Sequence, residues 1–307
     1  MPRFSIIIPA YNAANTIGDT LSAIVAQTYT DWEALVIDDG SVDATREIVG
    51  QWTRNDTRIR LAGHPGDGPS DARNFAAFHL AQGDILAFCD ADDMWANTKL
   101  TQIAQAMVSP LVDGTFGRVA FFAQNPADAR SLSNMPKTAL SIPILMGENP
   151  VCTLSNLSIR REIFLLSGGF DRSFVHNEDL DWLIRAVGSG ASLRGIDEVQ
   201  VWYRASPTGL SSDLPAMRAS RLRVLQTAQR YGYRPDSATE AIYLRYLARR
   251  ALRLDLGRLE ALRLSLDGLR QSPRAFCSPA RRGIATALAA ALAPVLPRAL
   301  RRALFSH

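Results

Sequence analysis

Residues 84–93 read Asp84-Ile85-Leu86-Ala87-Phe88-Cys89-Asp90-Ala91-Asp92-Asp93, an apolar run that ends on three carboxylates within four residues. A short apolar run bounded by turn formers is the pattern of a strand covered on both faces, and such strands belong to parallel sheets. Residues 84–89 therefore predict a strand that delivers Asp90, Asp92 and Asp93 at its carboxyl end. The same pattern occurs earlier, where Ala34 to Ile37 runs into Asp38-Asp39-Gly40-Ser41. Phe4 to Ile8, closed by Pro9, predicts a first strand, and Ile59 to Ala62 a short third one. Helices are predicted between them. Ile17, Leu21, Ile24 and Val25 repeat at helical spacing behind a potential cap, Asn15; Ile48, Val49 and Trp52 mark a second helix; residues 71–81 form a third behind Ser70. This alternation predicts an α/β fold, with a mainly parallel central sheet flanked by helices.

The chain has 307 residues, is 47% hydrophobic and 21% charged, and carries a net charge of +4. That composition supports a sizeable core and excludes disorder throughout. The net charge averages two regimes: residues 1–214 hold 16 basic and 25 acidic side chains, residues 215–307 hold 18 Arg, no Lys and 5 acids. Cys89, Cys152 and Cys277 are odd in number and far apart, which fits neither a disulfide framework nor a metal clip and suggests a reducing compartment. No secretion signal is expected from Met-Pro-Arg followed directly by a strand. The longest uncharged apolar stretch, 283–297, is shorter than the roughly 20 residues of a bilayer span and is interrupted by prolines. Residues 109–214 are less regular, with strands predicted at 119–122 and 199–203 and a helix at 179–187. Beyond Pro215 a helical hairpin is predicted. One apolar stripe is Leu244, Leu247, Ala251 and Leu254, the other Leu259, Leu262, Leu266 and Leu269, with Gly257 at the turn.

Four groups of residues carry possible chemistry. The acidic ends of the second and fourth strands converge on one edge in an open parallel sheet, where ligands bind; their hard oxygen donors suit Mg²⁺ or Mn²⁺, held together with substrate phosphates. A single Asp-rich turn would be an ordinary turn or cap, but two at successive strand ends favour a ligand. The loop Gly66-Asp67-Gly68-Pro69-Ser70-Asp71-Ala72-Arg73-Asn74 aims Arg73 at a phosphate or base; alone it reads equally as a flexible loop with a cap. His176-Asn177-Glu178-Asp179-Leu180-Asp181-Trp182 opens a helix with acids, one of which could serve as a general base, although acids also favour the first turn through the helix dipole. Val201-Trp202-Tyr203-Arg204, followed by Pro207, Gly209 and Ser211, offers Arg204 to a diphosphate. His64, His79 and His307 lack metal-ligand spacing and read as structural; His176 is a capping residue or an acceptor contact.

Taken in order, Ser5-Ile-Ile-Ile-Pro-Ala-Tyr-Asn12, Val36-Ile-Asp-Asp-Gly-Ser41 with Asp43, Gly68-Pro-Ser-Asp-Ala-Arg-Asn74 and Phe88-Cys-Asp-Ala-Asp-Asp93 resemble the motifs of glycosyltransferase family 2. The resemblance covers about residues 4–214. It implies a GT-A fold and inverting, metal-dependent transfer of one sugar from a nucleoside diphosphate sugar, with UDP expected, to a saccharide or lipid-linked saccharide acceptor. It also implies a catalytic domain over 1–214, with residues 1–108 binding the nucleotide sugar and 109–214 the acceptor; the Arg-rich helical extension expected over 215–307 lies outside the resemblance. Pro9, Ala10 and Tyr11 would line the base pocket, Asp39 would read the uracil or ribose, and Arg73 would lie near the nucleotide. Asp90 and Asp92 resemble the DxD pair, with Asp92 the direct ligand of Mn²⁺ or Mg²⁺ and Asp93 a third acid. Asp179, beside Glu178, matches the base, and Arg204 would neutralise the leaving diphosphate. Ser206 stands where many relatives carry a His, so a metal contact from that loop is not expected. The Gln-x-x-Arg-Trp motif and membrane spans of processive synthases are not visible, which predicts single additions in polysaccharide or glycolipid synthesis.

A sugar nucleotidyltransferase is the competing enzyme class; it would release diphosphate from a nucleoside triphosphate, and its Gly-rich opening loop is replaced here by Pro9 to Asn15. A non-catalytic nucleotide-sugar or nucleic-acid binder is the third class. No nucleic acid is expected, because the basic region lacks interleaved aromatics. Arg245, Arg249 and Arg253 on one helical face, with Arg298, Arg301 and Arg302 after the apolar run, predict contact of 241–307 with an anionic membrane surface. A hairpin packed on the catalytic domain is the alternative. The expected location is cytoplasmic, or peripheral on the cytoplasmic face of the membrane.

Overall fold

The computed structural model describes residues 3–64, 66–122, 125–129, 131–204 and 213–305. Ser206, Pro207, Gly209, Ser211 and His307 lie outside the described residues. The chain divides into two compact units: Met1–Leu140 with Pro150–Arg204, and Ser141–Asn149 with Ala205–His307.

The first unit is α/β. Its opening half runs β1 (Phe4–Ala10), α1 (Ile17–Val25), β2 (Trp32–Asp38), α2 (Thr45–Asn55), β3 (Ile59–Gly63), α3 (Pro69–Phe75) and β4 (Ile85–Phe88). These strands lie in the order β3-β2-β1-β4, all parallel. Every residue of β1, β2 and β4 is buried, as apolar runs without alternation require. Register sets where the strands end. Ala10 lies opposite Asp38, Asp38 opposite Gly63, and Ile7 opposite Phe88. Tyr11, Asp39, His64 and Asp90 therefore all leave the sheet along one edge, the carboxyl edge.

The second half begins with β5 (Met94–Trp95) and α4 (Lys99–Ala106), then β6 (Gly114–Phe122) and β7 (Ser131–Leu132). After α5 (Ile142–Gly147), which belongs to the other unit, come β8 (Ser158–Arg160), α6 (Arg161–Leu166), α7 (Glu178–Gly188) and β9 (Leu193–Arg204). Here the sheet becomes mixed: β8 is antiparallel to β4 and β6, β9 is parallel to β6, and β5 is antiparallel to β9. On one face Ile6, Ile8, Val36 and Ala87 pack with Leu21, Ile24 and Ile103. On the other, Phe88 meets Phe164 and Phe170 at 5.3 Å between ring centroids, and both of those contact Trp182 of α7. That aromatic cluster fixes α7 against the sheet.

Two local expectations change. The helix after the Gly-rich loop starts at Pro69, not Asp71; Gly68 is its N-cap at φ 97°, a conformation open to glycine, and a π turn over 76–80 follows it. The first helix is capped at Thr16 rather than Asn15.

In the second unit α8 (Leu214–Arg230), α9 (Ser237–Leu254), α10 (Glu260–Gln271), α11 (Pro273–Phe276), α12 (Ala280–Leu292) and α13 (Arg298–Phe305) follow α5. The expected hairpin forms from α9 and α10, with Gly257 between them. Leu247 and Ala251 of the first predicted stripe are buried. The second stripe is not the buried one: Leu259 and Leu266 are exposed, and α10 instead buries Ala261, Leu264, Ser265 and Gly268. Close approach decides this, since a Cβ on Gly268 would lie 2.5 Å from the wholly buried ring of Phe276. Small residues face the partner, and leucines are left outside.

The Arg face is also corrected. Arg245 is 3% exposed; its Nη1 donates to the carbonyls of Ala275, Phe276 and Ser278, and its Nη2 lies 3.6 Å from Glu148. Arg301 is likewise buried, donating to Asp255 at 2.9 Å. Neither is available to a lipid headgroup. Buried guanidinium groups need partners, and the terminal nitrogens of Arg245 and Arg301 have them, while Arg245 Nε is unpaired. Among the described residues no helix is long and apolar enough to cross a membrane.

Candidate active site

The carboxyl edge of β1–β4 is stitched by the short polar residues of its loops. The left-handed Asn12 accepts from Val42 N–H through Oδ1, and its own N–H donates to Ser41 Oγ. Asp43 accepts from Ala14 N–H and Thr45 N–H, and the Thr45 hydroxyl holds its carboxyl below the usual range. Asn12, Ser41 and Asp43 thus hold two loops together. Pro9 and Ala10 are buried within β1, while Tyr11 is 63% exposed just beyond it.

Asp39 is 8% exposed at the end of β2. Its Oδ2 accepts from Gly68 N–H at 3.0 Å and its Oδ1 lies 3.0 Å from His64 Nδ1. The neighbouring Asp38 is turned inward onto Arg46 at 2.8 Å. Of the acidic pair, only Asp39 addresses the loop that leads into α3.

Arg73, on α3, brings two predicted groups together. Its Nη2 donates to Asp90 Oδ1 at 2.5 Å, and its Nη1 lies 3.9 Å from Glu178 Oε1. The guanidinium is buried, and Nε and Nη1 have no hydrogen-bond partner in the described structure. Burying such donors unpaired costs about 1–3 kcal/mol each, more when charged, a cost that an acceptor brought by a ligand would relieve. Asp90 Oδ2 accepts from Thr153 Oγ1 at 3.1 Å, and Asp90 N–H donates to Ser155 Oγ. Thr153 and Ser155 were missed in the sequence; nothing marks them until β8 folds back beside β4.

Asp92 is pushed up to about 6 by burial and then by the charge of Asp90. Asp93, wholly buried, is raised well above the carboxylate range by burial and by both other acids. Its Oδ1 accepts from Arg204 N–H at 3.0 Å, leaving Oδ2 buried and unpaired. Pairing of β5 with β9 sets Arg204 against this turn: its Nε donates to the Asp92 carbonyl, its Nη2 to Asp19, and its guanidinium lies 4.9 Å from the Phe122 ring centroid. Three acids with too little countercharge and only oxygen donors fit a hard divalent cation. Among the described residues no three His, Cys, Asp or Glu side chains converge on a metal position. The carboxylates would therefore share such an ion with ligand oxygens.

Asn177, left-handed at φ 61°, opens α7. Burial, followed by the charge of Asp179, pushes Glu178 up to about 7; Asp179 is itself raised by burial and accepts from Leu180 N–H at 2.7 Å. Asp181 is instead bound to Arg185 at 2.8 Å, one turn along. The acidic run thus separates into two residues toward Arg73 and one structural residue.

A half-sheet of parallel strands with a cluster of acids at its carboxyl edge, continued by a mixed half, matches the GT-A fold expected from the sequence. Solved structures share that fold. S. aureus TarS in complex with UDP superposes with a TM-score of 0.60 at 18% identity, covering 94% of this chain and 90% of TarS. The mannosyltransferase PcManGT of Pyrobaculum calidifontis, in complex with GDP-Man and Mn²⁺, gives 0.59 at 22% identity, covering 97% and 88%. In sequence, residues 5–166 match the family model described as Glycosyl transferase family 2, and the chain belongs to that family. A relative from Escherichia coli, UDP-Glc:alpha-D-GlcNAc-diphosphoundecaprenol beta-1,3-glucosyltransferase WfgD, is 31% identical over 211 residues, spanning 68% of this chain and 79% of the relative.

Proposed function

We propose that this glycosyltransferase moves one sugar from a UDP-sugar to a hydroxyl of a saccharide or lipid-linked saccharide, with inversion at the anomeric carbon. The observation that carries the reading is Arg73, which lies between Asp90 and Glu178 with two buried nitrogens unpaired. One guanidinium thus stands beside both the acidic strand end and the acidic start of α7, which supports a donor phosphate and an acceptor base meeting there. The name of WfgD, which states a UDP-Glc donor and a diphosphoundecaprenol-linked acceptor, supports the donor and acceptor classes.

In this reading residues 1–214 form the catalytic domain and 215–307 its extension. Pro9, Ala10 and Tyr11 line the base pocket and Asp39 reads the nucleobase. Asp179, with Glu178 beside it, takes the proton of the acceptor hydroxyl as its oxygen attacks the anomeric carbon. The bond to the diphosphate breaks on the opposite face, and its electron pair passes to the phosphate oxygen, where Arg73 and Arg204 offset the charge. Asp92 and Asp90 would hold Mn²⁺ or Mg²⁺ together with the donor diphosphate, and such an ion would neutralise charge on the leaving group. Asp93, the third acid, holds the Arg204 backbone. A general base supplies about 10²- to 10⁴-fold in rate, so Asp179→Asn lowers turnover by that range and leaves donor affinity near wild type. Wild-type turnover in this variant would contradict the base assignment.

Attachment to an anionic membrane surface is supported by a different face from the one the arginine spacing indicated. Ile284, Leu288 and Leu292 form an exposed stripe on α12, continued by Val295, Leu300 and Leu304. No acid follows Asp267 in the chain. Exposed apolar side chains flanked by Arg suit an anionic lipid interface.

A further inference from the structure

His64 stands one residue beyond β3 on the carboxyl edge, its side chain 5% exposed. Nδ1 lies 3.0 Å from Asp39 Oδ1, and Nε2 lies 3.2 Å from Asp71 Oδ2. Asp71, in the first turn of α3, also accepts from Arg172 Nη1 at 2.7 Å. The ring is held from the side as well, tilted against Phe75 at 5.4 Å between centroids. Asp39, His64, Asp71 and Arg172 thus form a continuous chain of partners. It fixes one oxygen of Asp39, while Gly68 N–H fixes the other.

We infer that His64 is the positioning residue that sets Asp39 for nucleobase recognition and with it the preference for uracil. The inference rests on the assignment of Asp39 to the base. An ionised carboxylate has about four acceptor positions, and the two internal contacts leave others free in a fixed direction. Uracil presents an N–H at position 3 that such a carboxylate accepts; cytosine presents an acceptor there and is repelled. A carboxylate clasped beforehand loses no rotamer freedom when the base arrives, so affinity and discrimination both depend on the clasp.

Side-chain geometry supplies the test. The amide nitrogen of Asn reaches where Nδ1 stands, toward Asp39; that of Gln reaches where Nε2 stands, toward Asp71. UDP and CDP affinities are measured by calorimetry on the full chain for wild type, His64→Ala, His64→Asn, His64→Gln and Asp39→Ala, together with kcat at saturating donor. In His64→Ala and His64→Gln, UDP affinity falls about tenfold or more and the UDP-to-CDP preference narrows, because a charge-assisted contact is lost. His64→Asn stays near wild type, and kcat changes little in all three His64 variants. A merely structural role would instead weaken UDP and CDP alike and lower kcat together with thermal stability, and that outcome overturns the inference. UDP affinity unchanged in both His64→Ala and His64→Gln while Asp39→Ala weakens it overturns the clasp alone. Unchanged affinity in Asp39→Ala overturns the base assignment and the clasp with it. If His64→Ala unfolds, the contrast between Asn and Gln decides.

Discussion

At Glu178 and Asp179 two carboxylates next to one another in sequence are both held above the ordinary carboxylate range, Glu178 at about 7. A raised value favours the protonated form, whereas a base must be ionised; activity is therefore lost as pH falls, not as it rises. A plot of kcat/KM against pH should show an acid limb above the ordinary carboxylate range, declining about tenfold per unit below it, because burial raises the base Asp179. A limb near pH 4 in the wild type would contradict a buried base at Asp179. At this scale the sequence was informative about type and silent about partners. Asp39, Arg73, Asp90, Asp92 and Asp179 could be picked out by motif; that Asp38 turns to Arg46 and Asp181 to Arg185 could not, because those contacts arise only once α2 and α7 have formed and set each arginine beside its acid. His64 read as structural for want of a second ligand at metal spacing. Two carboxylates reach it only in the fold, Asp39 through the pairing of β2 with β3 and Asp71 through the connection from β3 to α3.

Among the elements, the strands were legible because a run buried on both faces has no other reading at that length, and the parallel register then fixed which residues share an edge. Helix faces were harder to read. The stripe Leu259, Leu262, Leu266 and Leu269 obeyed helical spacing, yet close approach of Phe276 selects Ala261, Ser265 and Gly268 for burial. Spacing locates a helix, but side-chain volume chooses its buried face. The same effect leaves α12 with Ile284, Leu288 and Leu292 exposed. Full-length protein should sediment with vesicles of phosphatidylglycerol and phosphatidylcholine, and Leu288→Glu with Leu292→Glu should cut the bound fraction more than tenfold, since each buried leucine is worth about 1.5–3 kcal/mol. Equal binding to purely neutral vesicles, or no response to the substitutions, would contradict a lipid-facing α12.

For the whole molecule, the charge division is the feature whose meaning changes most. Several of the 18 arginines of residues 215–307 are engaged internally: Arg221 pairs with Glu240, Arg245 and Arg282 with Glu148, and Arg301 with Asp255. The acidic excess of residues 1–214 is in part the cluster at the carboxyl edge. Residues 141–149, which nothing in the sequence separates from their neighbours, lie in the second unit because Gly147 packs against Ile242 of α9. The central claim is that the acidic edge transfers a sugar from a UDP-sugar, and it is tested most directly by incubating the full chain with a panel of nucleotide sugars and Mn²⁺ or Mg²⁺. The account predicts release of UDP from a UDP-sugar, lost on chelation and reduced at least a hundredfold in Asp92→Asn. Equal release without the metal or in that variant, or activity only with a nucleoside triphosphate and a sugar phosphate, would contradict it.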